Sequence, residues 1–265
     1  MTKIFMALVA AGLYVPLPAQ WLNYPTPGIP RTNDGKPDLS GPTPRTRDGK
    51  PDLSGLWEAS TEGATYAPTA GGLLLSPELV DIGARFKDDL PFRPWARDLK
   101  NARKADNGKD RPIARCLPPG ILLGHTFPMP RKMVQIPGLV IILSEWDTAY
   151  RQIFTDGRPL PVDPQPSFNG YSSGKWEGDT LVVQTIGFRD DLWADETGTP
   201  ITDAARITER FRRLNFGKLE VEVTVDDAKA YTGPWTVKLS QSFKPDTDLL
   251  ETVCLENERD ARHLQ

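Results

Sequence analysis

Glu209 is the residue whose setting first points to chemistry. In Ile207-Thr-Glu-Arg-Phe-Arg-Arg213 it alternates with Ile207 and Phe211, so a strand here turns it inward with them. A buried carboxylate needs a partner, and burial alone raises its pKa toward the range of a general acid. Arg151 shares a strand face with Ile153 and is a candidate partner. Gln241, between Leu239 and Phe243, is a second inward polar group, and Glu251, alternating with Val253 and Leu255, is a third. Glu209, Arg151, Gln241 and Glu251 are therefore expected to line a polar patch inside a barrel. That patch serves either a ligand or a structural salt bridge that fixes strand register. His125, in Gly124-His-Thr-Phe-Pro-Met-Pro130, is the other acid–base candidate, while lone loop histidines also serve as surface or hydrogen-bonded residues.

Other motifs exclude more than they assign. Gly170-Tyr-Ser-Ser-Gly174 matches the G-x-S-x-G elbow of serine hydrolases, but a hairpin turn at Glu177-Gly-Asp179 follows where a helix is required. The histidine downstream of it is His263, close to the chain end. Neither a dinucleotide fingerprint nor a phosphate loop occurs, and two cysteines with two histidines exclude zinc fingers and iron–sulfur clusters. No metal site and no cofactor are expected. Trp146, Tyr171 and Trp176 fall at strand ends or in loops, where aromatic rings stack on a ligand or plug a barrel mouth.

The elements that must position these groups are mostly strands. Leu219, Val221, Val223 and Val225 alternate with Glu220, Glu222, Thr224 and Asp226, and Val237, Leu239 and Phe243 repeat the pattern. Candidate strands are Gly55–Ala59, Met133–Ile136, Leu139–Trp146, Ala149–Thr155, Tyr171–Trp176, Thr180–Phe188, Ile207–Arg213, Leu219–Asp226, Thr236–Phe243 and Leu249–Leu255. The fold class is mainly β: an antiparallel calyx-like barrel or curved sandwich of about ten strands, with an extended N-terminal arm and one or two short helices. One helix starts at Ser76-Pro-Glu78 with Leu79, Ile82 and Phe86 at helical spacing, and a weaker one spans Trp95–Arg103. The segment Arg158–Asn169, with prolines at 159, 161, 164 and 166, is expected as a rigid overhang.

The chain of 265 residues opens with Lys3 and an apolar run from Ile4 to Val15, followed by Pro16 and Ala19. That is the pattern of a secretory signal peptide over residues 1–19, too short for a membrane span. Export to the periplasm or beyond makes pairing of Cys116 with Cys254 the expected state. A net charge of -3 argues against nucleic acid as a partner. Residues 20–54 read as a Pro-rich arm in which Pro30–Gly41 is repeated as Pro44–Gly55, and residues 55–265 as a single β-rich domain. The arm is expected either to pack along the body or to dock on a neighbouring subunit as a homodimer contact.

Four stretches carry a family resemblance: Asp48-Gly-Lys-Pro-Asp-Leu-Ser-Gly-Leu-Trp57, Tyr150-Arg-Gln-Ile-Phe-Thr-Asp-Gly-Arg158, Gly170-Tyr-Ser-Ser-Gly-Lys-Trp-Glu-Gly-Asp-Thr-Leu-Val-Val183 and Thr208-Glu-Arg-Phe-Arg-Arg213. The chain resembles a family of exported proteins of soil acidobacteria and proteobacteria over nearly its whole mature length. The resemblance implies export and a single domain, and it carries no activity or site residue. The leading expectation is an exported β-barrel that binds a small organic ligand: a sugar, an aromatic or a lipid-like molecule. One alternative is a cofactor-independent lyase, isomerase or hydrolase with Glu209 or His125 as acid–base and Arg151 as anion holder. Another is an interaction protein acting through its arm.

Overall fold

The computed structural model describes residues 24–61 and 75–254. The expected signal peptide, residues 1–19, lies outside them. In chain order the strands are β1 (Gly55–Ala59), β2 (Arg131–Ile136), β3 (Leu139–Ser144), β4 (Tyr150–Phe154), β5 (Tyr171–Glu177), β6 (Thr180–Ile186), β7 (Leu192–Trp193), β8 (Pro200–Ile201), β9 (Arg206–Arg213), β10 (Lys218–Asp226) and β11 (Trp235–Phe243). All but β7 and β8 close one barrel in the order β1-β11-β10-β9-β6-β5-β4-β3-β2, with β2 pairing back onto β1. The alternation read from the sequence is the inside–outside alternation of this barrel. Leu219, Val221, Val223 and Val225 of β10 are buried, as are Trp235, Val237, Leu239, Gln241 and Phe243 of β11.

Two expectations about strands change. The pairing is antiparallel at every junction but one: β4 and β5 run parallel, registered only at Ile153–Ser172 and Phe154–Ser173. Parallel neighbours need a crossover. Here the Pro-rich segment between Phe154 and Tyr171 supplies it, running from one end of the barrel to the other. The expected last strand, Leu249–Leu255, does not form over its described part: residues 249–254 carry no strand and Glu251 is exposed. A closed barrel has no free edge on which a tenth strand could pair.

One barrel end, where the β2–β3, β5–β6 and β9–β10 hairpins turn, is sealed by the arm. Both repeat copies fold alike: Thr32 N–H donates to Lys36 O at 2.8 Å and Thr46 N–H to Lys50 O at 2.9 Å. Arg31 pairs with Asp246, and Arg45 with Asp179 at 2.7 Å. Ile29 and Leu53 belong to the same apolar core as Trp57 and Phe211. Arg213 sits beneath the second copy with its guanidinium 4.9 Å from both the Trp57 and Phe216 ring centres, donating to Ser54 O. The arm therefore packs on its own barrel, which leaves the expected homodimer contact through it without support.

The other end is covered by helices. Ser76 caps α1 (Pro77–Val80), which stops after one turn because the Asp81 carboxylate accepts from Gly83 N–H and starts a separate 3-10 turn over Ile82–Arg85. The stretch expected as the weaker helix becomes the longest, α2 (Pro94–Ala105), begun by Pro94 at its first position. A third helix, α3 (Gly120–Thr126), lies where the sequence reads as a loop. Just before it, Cys116 forms a disulfide with Cys254. Among the described residues, no helix is long and apolar enough to cross a membrane.

Candidate functional site

Inside the helix-covered end, six strands and one helix deliver polar side chains to one buried cluster. β9 contributes Glu209 and β4 contributes Arg151, each inward between apolar neighbours. β11 contributes Gln241, β2 contributes Arg131, and α3 lowers His125 into the barrel from above. Ser172 of β5 and Thr185 of β6 complete it. His125 is thus a buried helical residue rather than a loop one.

The hydrogen bonds form a chain with fixed polarity. Arg151 grips Glu209 with both terminal nitrogens, Nη1 reaching Oε1 at 2.9 Å and Nη2 reaching Oε2. Its Nε and Nη2 also donate to Ser172 Oγ at 3.1 and 3.0 Å, and Nη2 to Thr185 Oγ1 at 3.0 Å. His125 Nε2 lies 2.7 Å from Glu209 Oε1, and its Nδ1 lies 2.8 Å from Arg131 Nη1. A guanidinium only donates and an ionised carboxylate only accepts. His125 must therefore carry its proton on Nε2 and offer the Nδ1 lone pair to Arg131. Arg131 also donates to Gln241 Oε1, while Gln241 Nε2 donates to the His125 carbonyl at 2.8 Å.

Charge states follow from this wiring. Burial pushes the Glu209 carboxyl up, but the Arg151 guanidinium and the bonds from Arg151 and His125 outweigh it and hold Glu209 down to about 2. The expectation of a raised, acid-donating Glu209 is overturned because its partner is a bidentate guanidinium rather than an apolar pocket. Burial, reinforced by Arg131 and opposed by Glu209, lowers His125 to about 4. Neither group is ready for proton transfer at neutral pH: Glu209 has no proton to give, and the His125 lone pair is already taken.

The cluster borders open space on one side. Arg131, Arg151 and His125, with Ser144, Tyr150 and Asn169, line a small cavity of about 40 Å³ beneath α3. Arg151, Tyr150 and Asn169 also line a larger cavity of about 670 Å³. This one follows the outer face of the parallel β4–β5 seam, roofed by the Pro-rich crossover, with Phe154, Phe168 and Tyr171 along its walls. β4 and β5 are registered at two positions only along this wall, and residues of the Pro-rich crossover border the space beside them. Tyr150 and Tyr171 are 65% and 39% exposed, so two phenol rings face the groove unburied.

Of the residues singled out from the sequence, Glu209, His125, Arg151 and Gln241 meet in the cluster and Tyr171 stands in the groove. The others are elsewhere. Glu251 is exposed on the C-terminal segment; Trp146 packs edge-on against Phe127 at 5.2 Å; Trp176 packs against the apolar core. The elbow-like Gly170–Gly174 is the entry to strand β5 and its first four residues. Gly170 has φ +59° and a Cβ there would meet Ile186 O at 2.6 Å, so the glycine answers a backbone constraint. Arg131 was not singled out, although it lies two residues before the inward Met133 and so shares its face. Among the described residues, no group of three His, Cys, Asp or Glu side chains is placed to hold a metal ion. Compared with known proteins, the chain matches no family model and no curated protein.

Proposed function

We propose that the protein is an exported β-barrel that binds a small organic molecule in the groove outside the β4–β5 seam. The observation that carries this reading is the cavity of about 670 Å³ with Tyr150 and Tyr171 exposed in its walls and the Arg151 guanidinium at its inner end. Its size is that of a small-molecule site, commonly about 300–1,000 Å³. Tyrosine rings left in solvent offer stacking area with little ordering cost on binding. The lining of Phe154, Phe168 and prolines 159 and 161 favours an aromatic or aliphatic body over a polyol. The sequence pattern of residues 1–19, the disulfide and the resemblance to exported bacterial proteins support a periplasmic or secreted location.

Thermal-shift screening against aromatic acids, aromatic alcohols, fatty acids, sterols and sugars tests the reading. A ligand at 100 times its Kd stabilises the protein by about 2.7 kcal/mol. The hit is expected to bind at least tenfold more weakly to Tyr150→Ala and Tyr171→Ala, with the unliganded Tm of both unchanged because both rings are exposed. Binding that ignores both substitutions, or a panel with no hit, overturns the assignment. Export is tested by fusing residues 1–23 to a periplasm-dependent reporter; an inactive reporter removes that part.

A further inference from the structure

We infer that the small cavity beneath α3 is a head-group subsite for a carboxylate, with Arg131 as its donor, so that the ligand of the groove is an organic monocarboxylic acid. The inference rests on the groove reading above and narrows it. Among the described residues, two guanidiniums, Arg131 and Arg151, are buried in the cluster against a single carboxylate, Glu209, and a histidine that accepts from Arg131 and is therefore neutral. One buried positive charge is left over, and an uncompensated buried charge is costly unless an anion meets it.

The two arginines differ in what they still offer. Every nitrogen of Arg151 is engaged, with Glu209, Ser172 and Thr185. Arg131 commits one bond from each terminal nitrogen, to His125 and Gln241, which leaves a second N–H on each, and among the described residues its buried Nε–H has no partner. A guanidinium carries five donors in a planar fork that matches a carboxylate. Glu209 does not compete for the site, since its two oxygens are held by Arg151 and His125.

Size and continuity select a carboxylate. The small cavity, about 40 Å³, is far smaller than the groove it adjoins, about 670 Å³, so it suits a compact polar head group and the groove suits the body. It shares Ala149, Tyr150, Arg151 and Asn169 with the larger groove, so a head group at Arg131 is continuous with a body against Tyr150 and Tyr171.

The test is titration calorimetry of the mature chain at constant ionic strength with matched acids and amides: 3-phenylpropanoate against 3-phenylpropanamide, and decanoate against decanamide. At least one acid is expected to bind tenfold or more tightly than its amide. In Arg131→Gln that preference falls to within twofold while amide affinity is retained. Should the Gln variant fail to fold, competition in the wild-type protein decides: sodium acetate, a head group without a body, displaces the acid and leaves the amide bound. Acid and amide that bind alike, both weakened by Tyr171→Ala, would leave the groove standing and sink the carboxylate subsite. Acetate that displaces neither probe, or both equally, sinks it too. Binding of neither pair would remove both readings together.

Discussion

The Nδ1 atom of His125 lies 2.8 Å from Nη1 of Arg131, a bond in which the imidazole can only accept. A proton added at Nδ1 would face a guanidinium N–H, so protonation must break this contact while the ring stays buried. His125 falls to about 4 in the folded protein against 6.5 in the open chain. A group with a depressed folded pKa leaves the unfolded state binding more protons between those values, so stability drops as pH falls from 6.5 to 4. The loss is about 3 kcal/mol for the shift concerned. Urea denaturation of wild type and His125→Asn across that interval reads it. The wild-type slope is expected to flatten in the variant, and equal slopes would refute the assignment. Nitrogen NMR at pH 7 should report a neutral ring protonated at Nε2.

Glu209 acts in the same direction at lower pH. Held at about 2 against an ordinary 4.5, it contributes stability that is complete above 4.5 and is lost as pH falls through 2. Glu209→Gln keeps an acceptor for His125 but strands Arg151, and loss of one partner from a buried pair costs about 3–5 kcal/mol. The double variant Glu209→Gln with Arg151→Met should cost clearly less than the sum of the singles, because no unmatched charge is left by the pair. A double-mutant cycle in guanidinium chloride measures the coupling. Additive single effects would show that the pair is not the unit described.

Most of this cluster was legible because alternation is a strong signal on long paired strands. Glu209, Arg151 and Gln241 were placed inward by their neighbours alone, and the barrel puts them there. Arg131 escapes that signal because the continuous apolar pattern begins only at Met133, and an inward arginine reads as polar. Leu249–Leu255 has the same alternation as a true strand, and only closure of β1 onto β2, a long-range fact, denies it a partner. α3 has neither a capping side chain nor good helix formers at Gly120 and Gly124, and it forms because Ile121, Leu122 and Leu123 are buried over the barrel. The groove was beyond reach for a related reason. It depends on a parallel junction made by an irregular Pro-rich crossover, which no local period encodes. Tryptophans at strand ends gave no more than a choice between ligand and packing, and Trp146 and Trp176 are both packing.

The Cys116–Cys254 disulfide closes a separation of 138 residues that contains every barrel strand but β1. Cys116 adopts a left-handed conformation, φ 56°, at the end of the 3-10 turn Pro112–Arg115, two residues ahead of Pro118-Pro119 and α3. On the other side, the segment ending at Cys254 is held by Leu250 N–H donating to Glu145 at 3.2 Å and by a bridge from Thr252 to Trp146. Among the described residues the tail is also tied by Lys132 to Asp248 at 2.8 Å, and the covalent bond is expected to add to these contacts in keeping the C-terminal segment against the loop leading into α3. Restriction of an unfolded loop of this size is worth about 3–5 kcal/mol. Guanidinium chloride denaturation with and without reductant should show a loss in that range, with Cys116→Ser/Cys254→Ser matching the reduced protein. His125 is fixed instead by Glu209 and Arg131 from β9 and β2, so its acid-sensitive interval between pH 6.5 and 4 should persist in the reduced protein. An unchanged midpoint on reduction would mean that noncovalent contacts alone hold the tail. Disappearance of the His125 titration would mean that the bridge, and not the barrel, positions α3.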